Sequence, residues 1–237
     1  MIPIVVLNLE RSTLRKELMI EQFEKLHLIE NQDFFFLPAY DGVNITNFSF
    51  NANISIGYGA GRKFQKAEIA IIMSQIGAIK FAQMMKFESV IILEDDVVLC
   101  EDWVERIDSL KRTLPSNWDH VYLSGHSDYV KFKVHTEPTL IEAPKMVGAF
   151  AYMLSNKAYS RVTRFTSSML TTFDDMIMYM IDQGKLKSYA YFPFMAFHNA
   201  NDSTVWNGEN PGHLNHMNNI HSSYKYFKNN LYGSNKD

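Results

Sequence analysis

The stretch SVIILEDDVVLC, residues 89–100, constrains this chain more than any other segment. Its apolar part, Val90–Leu93, has no polar face. Such a strand must be covered on both sides, which places it inside a mostly parallel sheet with helices above and below. Residues 2–9 form a second run of the same character. Between them, residues 66–86 carry Ile69, Met73, Ile76, Ile79 and Met84 at helical spacing. Strands alternating with helices give an α/β fold with a mostly parallel central sheet flanked by helices. At 237 residues the chain can bury one substantial core.

The remaining pattern is consistent with that class. Residues 10–29 predict a helix with Leu14, Leu18, Phe23 and Leu26 inward, and residues 34–37 a strand closed by Pro38. Residues 39–63 read as a long loop holding Asp41-Gly42 and Gly57-Tyr-Gly-Ala-Gly61. Loops of this length inside a domain are uncommon and often functional. Residues 103–114, 156–165 and 173–181 predict helices, and 120–123, 147–154 and 188–192 predict strands. Residues 129–141 alternate as an edge ribbon does, and the segment after Pro193 reads as loop. No repeat or Pro/Ser linker divides the chain. It is expected to be one domain over 1–237, with its core in 2–205 and a loop-rich tail at 206–237.

Composition excludes several classes of partner. A net charge of −3 gives no broad attraction to nucleic acid or anionic membranes. The single cysteine, Cys100, rules out an internal disulfide framework and fits a reducing compartment. The N-terminus lacks a basic n-region, and no apolar stretch approaches the ~20 residues of a membrane span. A soluble cytoplasmic protein is expected, with a peripheral position at the inner face of a membrane left open.

The acids Glu94, Asp95 and Asp96 end the central apolar run. Adjacent carboxylates repel, and burying them costs several kcal/mol each unless positive charge is near. On an extended backbone Glu94 and Asp96 point to one side and Asp95 to the other. Two carboxylates on one side suit Mg²⁺ or Mn²⁺, which take one or two carboxylates plus substrate phosphates. Acids here can also cap a helix or solvate a strand end. Ligands in open α/β sheets bind at the carboxyl ends of strands, which favours the cation.

Seven segments occur in the order of a known family. They are Ile4-Val-Val-Leu-Asn-Leu-Glu-Arg11 with Arg15, Leu37-Pro-Ala-Tyr-Asp-Gly42, Glu68-Ile-Ala-Ile-Ile-Met-Ser74, Val90-Ile-Ile-Leu-Glu-Asp-Asp-Val97, Gly148-Ala-Phe-Ala-Tyr-Met-Leu-Ser155, Phe173-Asp-Asp175, and Pro193 with Ser203-Thr-Val205. In sequence and spacing the chain resembles glycosyltransferase family 25, the lipooligosaccharide-type sugar transferases related to collagen galactosyltransferase domains. The resemblance spans residues 2–205. It departs at Gln75, where the family usually has His, and at Lys66-Ala67 before Glu68, where Gly is usual.

The resemblance implies a single GT-A-like (Rossmann-like) domain. It also implies a nucleotide-sugar donor, usually a UDP-sugar, and transfer of a hexose such as galactose or glucose with inversion. The acceptor hydroxyl would belong to a glycan, a lipid-linked glycan or a protein. Glu94-Asp95-Asp96 becomes the counterpart of the Asp-x-Asp signature, with Glu94 and Asp96 on Mn²⁺ or Mg²⁺ and Asp95 at the donor. His198, after a strand and the Pro193 segment, is placed where a third ligand comes from in GT-A-like enzymes. A lone His is otherwise structural.

Asn8 and Arg11 end the first strand, where nucleotide binds, and the Arg fork suits phosphate. Asp41 is by default a turn residue and Glu68 a helix-dipole partner. The resemblance makes both donor-site candidates. Asp174 and Asp175 are by default helix caps. An inverting transfer needs a base at the acceptor hydroxyl, and either carboxylate can serve.

The Gly57–Lys63 stretch matches neither dinucleotide nor P-loop spacing and reads as a mobile loop, and residues 44–63 are expected to act as a partial lid when donor binds. His213 and His216, beside Pro211 and Gly212, read as loop residues rather than a zinc site. Two rivals stand beside the transferase: an inactive relative that holds nucleotide sugar or glycan, and a metal-dependent phosphotransferase using the same acids.

Overall fold

The chain begins with an apolar strand that pairs on both sides. β1 (Ile4–Asn8) lies between β2 (Phe34–Pro38) and β3 (Ser89–Glu94), parallel to both. This computed structural model describes residues 1–45, 53–56, 60–125, 139–142, 146 and 148–198. β5 (His120–Tyr122), β6 (Thr139–Glu142), β7 (Ala151–Ser155) and β8 (Ser188–Phe192) complete a seven-stranded sheet of order β2-β1-β3-β7-β5-β8-β6. β7 runs antiparallel to both of its neighbours, and β6 is antiparallel to β8. The other five strands share one direction, so the sheet is mostly parallel, as the apolar runs required.

Residues on alternate sides of the same strand enter separate cores. Ile4, Val6, Ile91 and Leu93 pack with Met19 and Phe23 of α1 (Thr13–Lys25) and with Trp103, Ile107 and Leu110 of α3 (Trp103–Thr113). Val5, Leu7, Val90 and Ile92 pack with Ile72, Ile76 and Ile79 of α2 (Lys66–Met84). Val162 of α4 (Asn156–Thr166) and Phe173, Met176 and Ile177 of α5 (Phe173–Asp182) join them. Both faces are dry, which accounts for strands with no polar face. None of the helices among the described residues is long and apolar enough to cross a membrane.

Three elements depart from the pattern. α1 begins at Thr13 and buries Met19 and Phe23, one turn apart. Leu14 and Leu18, expected inward, are exposed. Two three-residue strands, β4 (Val97–Leu99) and β9 (Ala196–His198), pair antiparallel just beyond the acids, where a loop was expected after Pro193. Three residues are too few to show a period of two. The strand expected from 147 begins at Ala151, because Ala149 and Phe150 form a turn. The start of the expected 129–141 ribbon, Gly57, Gly59, His213, His216, the Ser203-Thr-Val205 segment and the tail lie outside the described residues.

Candidate active site

The reversed strand builds the site. Leu93 pairs with Ala151, so the entry to β7 lies beside the exit of β3, and the Glu94 N–H donates to the Phe150 carbonyl at 2.9 Å. Gly148 has φ +111, and a Cβ there would sit 2.7 Å from the Phe150 ring and 3.2 Å from the Gly125 Cα. Only glycine fits this turn. The turn presents two N–H groups to one carboxylate: Gly148 and Ala149 donate to Asp174 at 2.8 and 3.2 Å. Asp174 stands in the first turn of α5, where a negative charge also complements the helix dipole. The N-cap of α5 is Thr172, so the default capping role does not fall to Asp174, which ties the helix start to the Gly148 turn instead.

The three acids divide between two neighbours. Gln75 of α2 donates to Glu94 at 3.3 Å. Asp95 and Asp96 form a turn after β3 and share Arg15 of α1, whose guanidinium donates to them at 3.0 and 3.2 Å. Asn8 adds a 2.7 Å bond to Asp95. The alternation expected through residue 96 stops at Glu94, where the strand ends.

Electrostatics tie Glu94 to the cleft. Burial above all, then the charges of Asp96, Asp174 and Asp95, push its carboxyl well above the ordinary range, against the Gln75 bond. Burial likewise raises Asp174, opposed by the two backbone N–H groups. It raises Asp95 too, opposed by Asn8 and Arg15. In all three, burial is the first cause.

A cavity of about 700 Å³ opens at the carboxyl ends of β1 and β2. Leu7, Arg11, Tyr40 and Asp41 line it, with Gly77 and Phe81 on the α2 wall. Asn8, which follows Leu7 but does not line the cavity, ties the end of β1 to the acids through Asp95. Arg11 and Asp41 pair at 2.6 Å, and Arg11 is half exposed. The Asp41 carboxyl is held below its ordinary range by Arg11 and then by the Val43 N–H. Asp41 thereby caps the short 3-10 turn Gly42–Asn44, as a turn residue does. A Cβ on Gly42 would meet Ala67 backbone atoms at 2.9 Å, which explains the Asp-Gly pair.

Other expected residues sit elsewhere. Glu68 is buried at the start of α2, where it closes a capping box with Gln65 and takes two bonds from Arg62 at 2.5 and 2.8 Å. It does not line the cavity. Asp175 accepts from Thr171 at 3.0 Å, one position beyond the acid that meets the Gly148 turn. Backbone pairing sets His198 opposite Val97, the residue after Asp96. The described parts of the expected lid are anchored: Ile54 is buried, Asn53 bridges Lys63, and the Ser55 N–H donates to the Leu170 carbonyl.

Sequence reasoning gave no role to Gln75, Tyr152 or the Gly148–Ala149 backbone. The available signal was Gln75 itself, a polar residue on the apolar side of a core helix.

The donors at the strand end are all carboxylate oxygens in mutual repulsion, which fits a hard divalent cation. Among the described residues no three His, Cys, Asp or Glu side chains gather as a ready-made metal cage. Mg²⁺ and Mn²⁺ sites completed by substrate phosphates need only one or two carboxylates.

The sequence matches the family described as glycosyltransferase family 25 (LPS biosynthesis protein) over residues 1–178. No curated protein matches the chain. A solved structure of a glycosyltransferase involved in the glycosylation of the major capsid of PBCV-1 is similar with a TM-score of 0.51 at 11% identity, covering 92% of this chain and 98% of that one. A197 from STIV is similar with a TM-score of 0.45 at 13% identity, over 84% and 85% of the two chains. Identities this low speak to fold alone, and the second similarity is too slight to add to the argument. The family match covers well over half the sequence and takes in β1, the strand-end acids, the Gly148 turn and the start of α5: the chain belongs to glycosyltransferase family 25.

Proposed function

We propose that this glycosyltransferase moves a hexose, galactose or glucose, from a UDP-sugar to an acceptor hydroxyl with inversion. The observation that carries the reading is the cavity at the ends of β1 and β2, where β1 neighbours the strand that ends in the acids. The cavity has the volume a nucleoside needs, and a nucleoside there would direct its diphosphate toward Arg11. Asp96 and Glu94 would hold Mn²⁺ or Mg²⁺, with His198 as the candidate third ligand. A cation bound there would supply positive charge against the developing charge of the leaving diphosphate.

The residues of the chain do the rest. Arg15 holds Asp95 and Asp96 in place, and Asn8 fixes Asp95. Arg11 and Asp41 border the nucleoside. The acceptor oxygen attacks the anomeric carbon, the bond from that carbon to the diphosphate breaks, UDP leaves, and the hydroxyl proton passes to a carboxylate. Asp174 is the favoured base of the pair, because it meets the Gly148 turn beside the end of β3 while Asp175 accepts from Thr171. Its raised affinity for protons suits that task. The acceptor would be a glycan, a lipid-linked glycan such as a lipopolysaccharide precursor, or a protein hydroxyl.

Incubation with UDP-galactose and UDP-glucose, with and without Mn²⁺, tests the reading. Cation-stimulated UDP release, with inverted anomeric configuration in the product, is expected. Absence of turnover with every nucleotide sugar, or a retained configuration, would overturn it.

A further inference from the structure

Gln75 is fully buried and connects parts of the cleft that come from distant segments. Its carbonyl oxygen accepts from the Tyr152 hydroxyl at 2.8 Å. That bond sets which end of the amide is which, so the NH₂ faces the cleft. The NH₂ then donates to Glu94 at 3.3 Å and to the Ala149 carbonyl at 3.2 Å. Ala149 belongs to the turn whose N–H groups hold Asp174. One amide therefore spans the end of β3, the entry to β7 and, through that turn, the start of α5.

We propose that Gln75 is a positioning residue for sugar transfer, fixing the separation between Glu94 on the donor side and Asp174 on the acceptor side. An amide is suited to this because it offers donors and an acceptor and never ionises, so it adds no charge to a cleft already crowded with carboxylates. A buried amide also loses much if one bond is broken, since its partners are left unsatisfied. Tyr152 locks it from behind, packed against His120 and Phe173 in the core. The inference rests on the transferase reading given above and adds the residue that joins its two halves.

The test compares wild type with Gln75→Leu, Gln75→His and Tyr152→Phe. Residues of this supporting kind typically change activity by ~10–100-fold. Gln75→Leu is expected to lower kcat in that range, with donor KM within about twofold of wild type and an unchanged fold by circular dichroism. Gln75→His, which restores a neutral donor, should recover part of the loss, and Tyr152→Phe should lower kcat in the same direction by a smaller factor.

Hydrogen exchange gives a readout free of turnover. The Gly148 and Ala149 amides should exchange at least ~10-fold faster in Gln75→Leu, with β3 protection retained. If Gln75→Leu does not fold, Tyr152→Phe carries both readouts. Wild-type kcat in the variants, or a loss confined to donor KM, would overturn the inference. If wild type itself turns over no UDP-sugar, the transferase reading fails, and unchanged exchange at Gly148 and Ala149 would then overturn the positioning role separately.

Discussion

Asn8 Nδ2 donates to the Asp95 carboxylate at 2.7 Å across a sequence separation of 87 residues. The bond joins the ends of β1 and β3, adjacent parallel strands. With Arg15 on the other oxygen, both Asp95 oxygens accept from the protein. Asp95 is thereby held to both β1 and α1, and Arg15 reaches Asp96 as well.

Arg15 is the internal counter-charge of the cluster. Replacing it by Met leaves two largely buried carboxylates without their shared guanidinium and should destabilise the fold by ~3 kcal/mol. Saturating Mn²⁺ should recover more stability in Arg15→Met than it adds to wild type. Thermal melts with and without the cation check this, and equal shifts in the two proteins would refute it.

Gly77 lies in the middle of α2 on the cavity wall, and a Cβ there would meet nothing within 4 Å. A mid-helix glycine costs about 1 kcal/mol relative to alanine. The space it leaves is the compensating feature. Gly77→Ala should therefore raise the melting temperature, whereas Gly77→Leu should keep the fold and weaken UDP binding at least ~10-fold. Undiminished UDP affinity in Gly77→Leu would move the nucleoside out of this cavity.

His120 sets an acid limit. It is fully buried against Tyr122 and Tyr152 and bonded to Ser188, and burial pushes its pKa down from 6.5 to about 3. Below 6.5 the unfolded chain takes up a proton that the native state refuses until about 3. Stability from this group is present above 6.5 and falls with pH across that window, by up to ~1.4 kcal/mol per unit. The raised carboxyls Glu94 and Asp174 act with the opposite sign, so the informative quantity is the difference from His120→Asn. Denaturant titrations between pH 7 and 4 should show a shallower loss in the variant, and parallel curves would exclude His120.

Asp174→Asn and Asp175→Asn separate the two base candidates. Asp174→Asn should lower transfer by ~10²–10⁴-fold with UDP affinity retained, and Asp175→Asn by much less. Single-turnover rates decide it. Near wild-type transfer in Asp174→Asn would place the base elsewhere.

Much of this architecture was legible in the sequence. Val90–Leu93 carries no polar face, so a sheet covered on both sides followed, and the acids fell at its carboxyl edge. The direction of β7 was not legible, since an apolar strand reads the same either way. That direction brings the Gly148 turn to Glu94. β4 and β9 were too short to show a period. Arg15, Gln75 and Tyr152 stand out in the sequence by position, but their partners lie in distant segments, and no local pattern names those partners. Glu68 was misleading for the converse reason: an acid in the first turn of a helix has a local explanation, and the capping box with Gln65 and the Arg62 pair supply it.

The central claim is that the strand-end acids hold the donor diphosphate through a divalent cation. Calorimetric titration of UDP into wild type and Asp96→Asn, each with and without Mn²⁺, measures it directly. Wild type should bind UDP at least ~10-fold more tightly with Mn²⁺, and Asp96→Asn should lose that gain while keeping its fold. Equal UDP affinity in the two proteins with Mn²⁺ present, or wild-type affinity indifferent to the cation, would contradict the account.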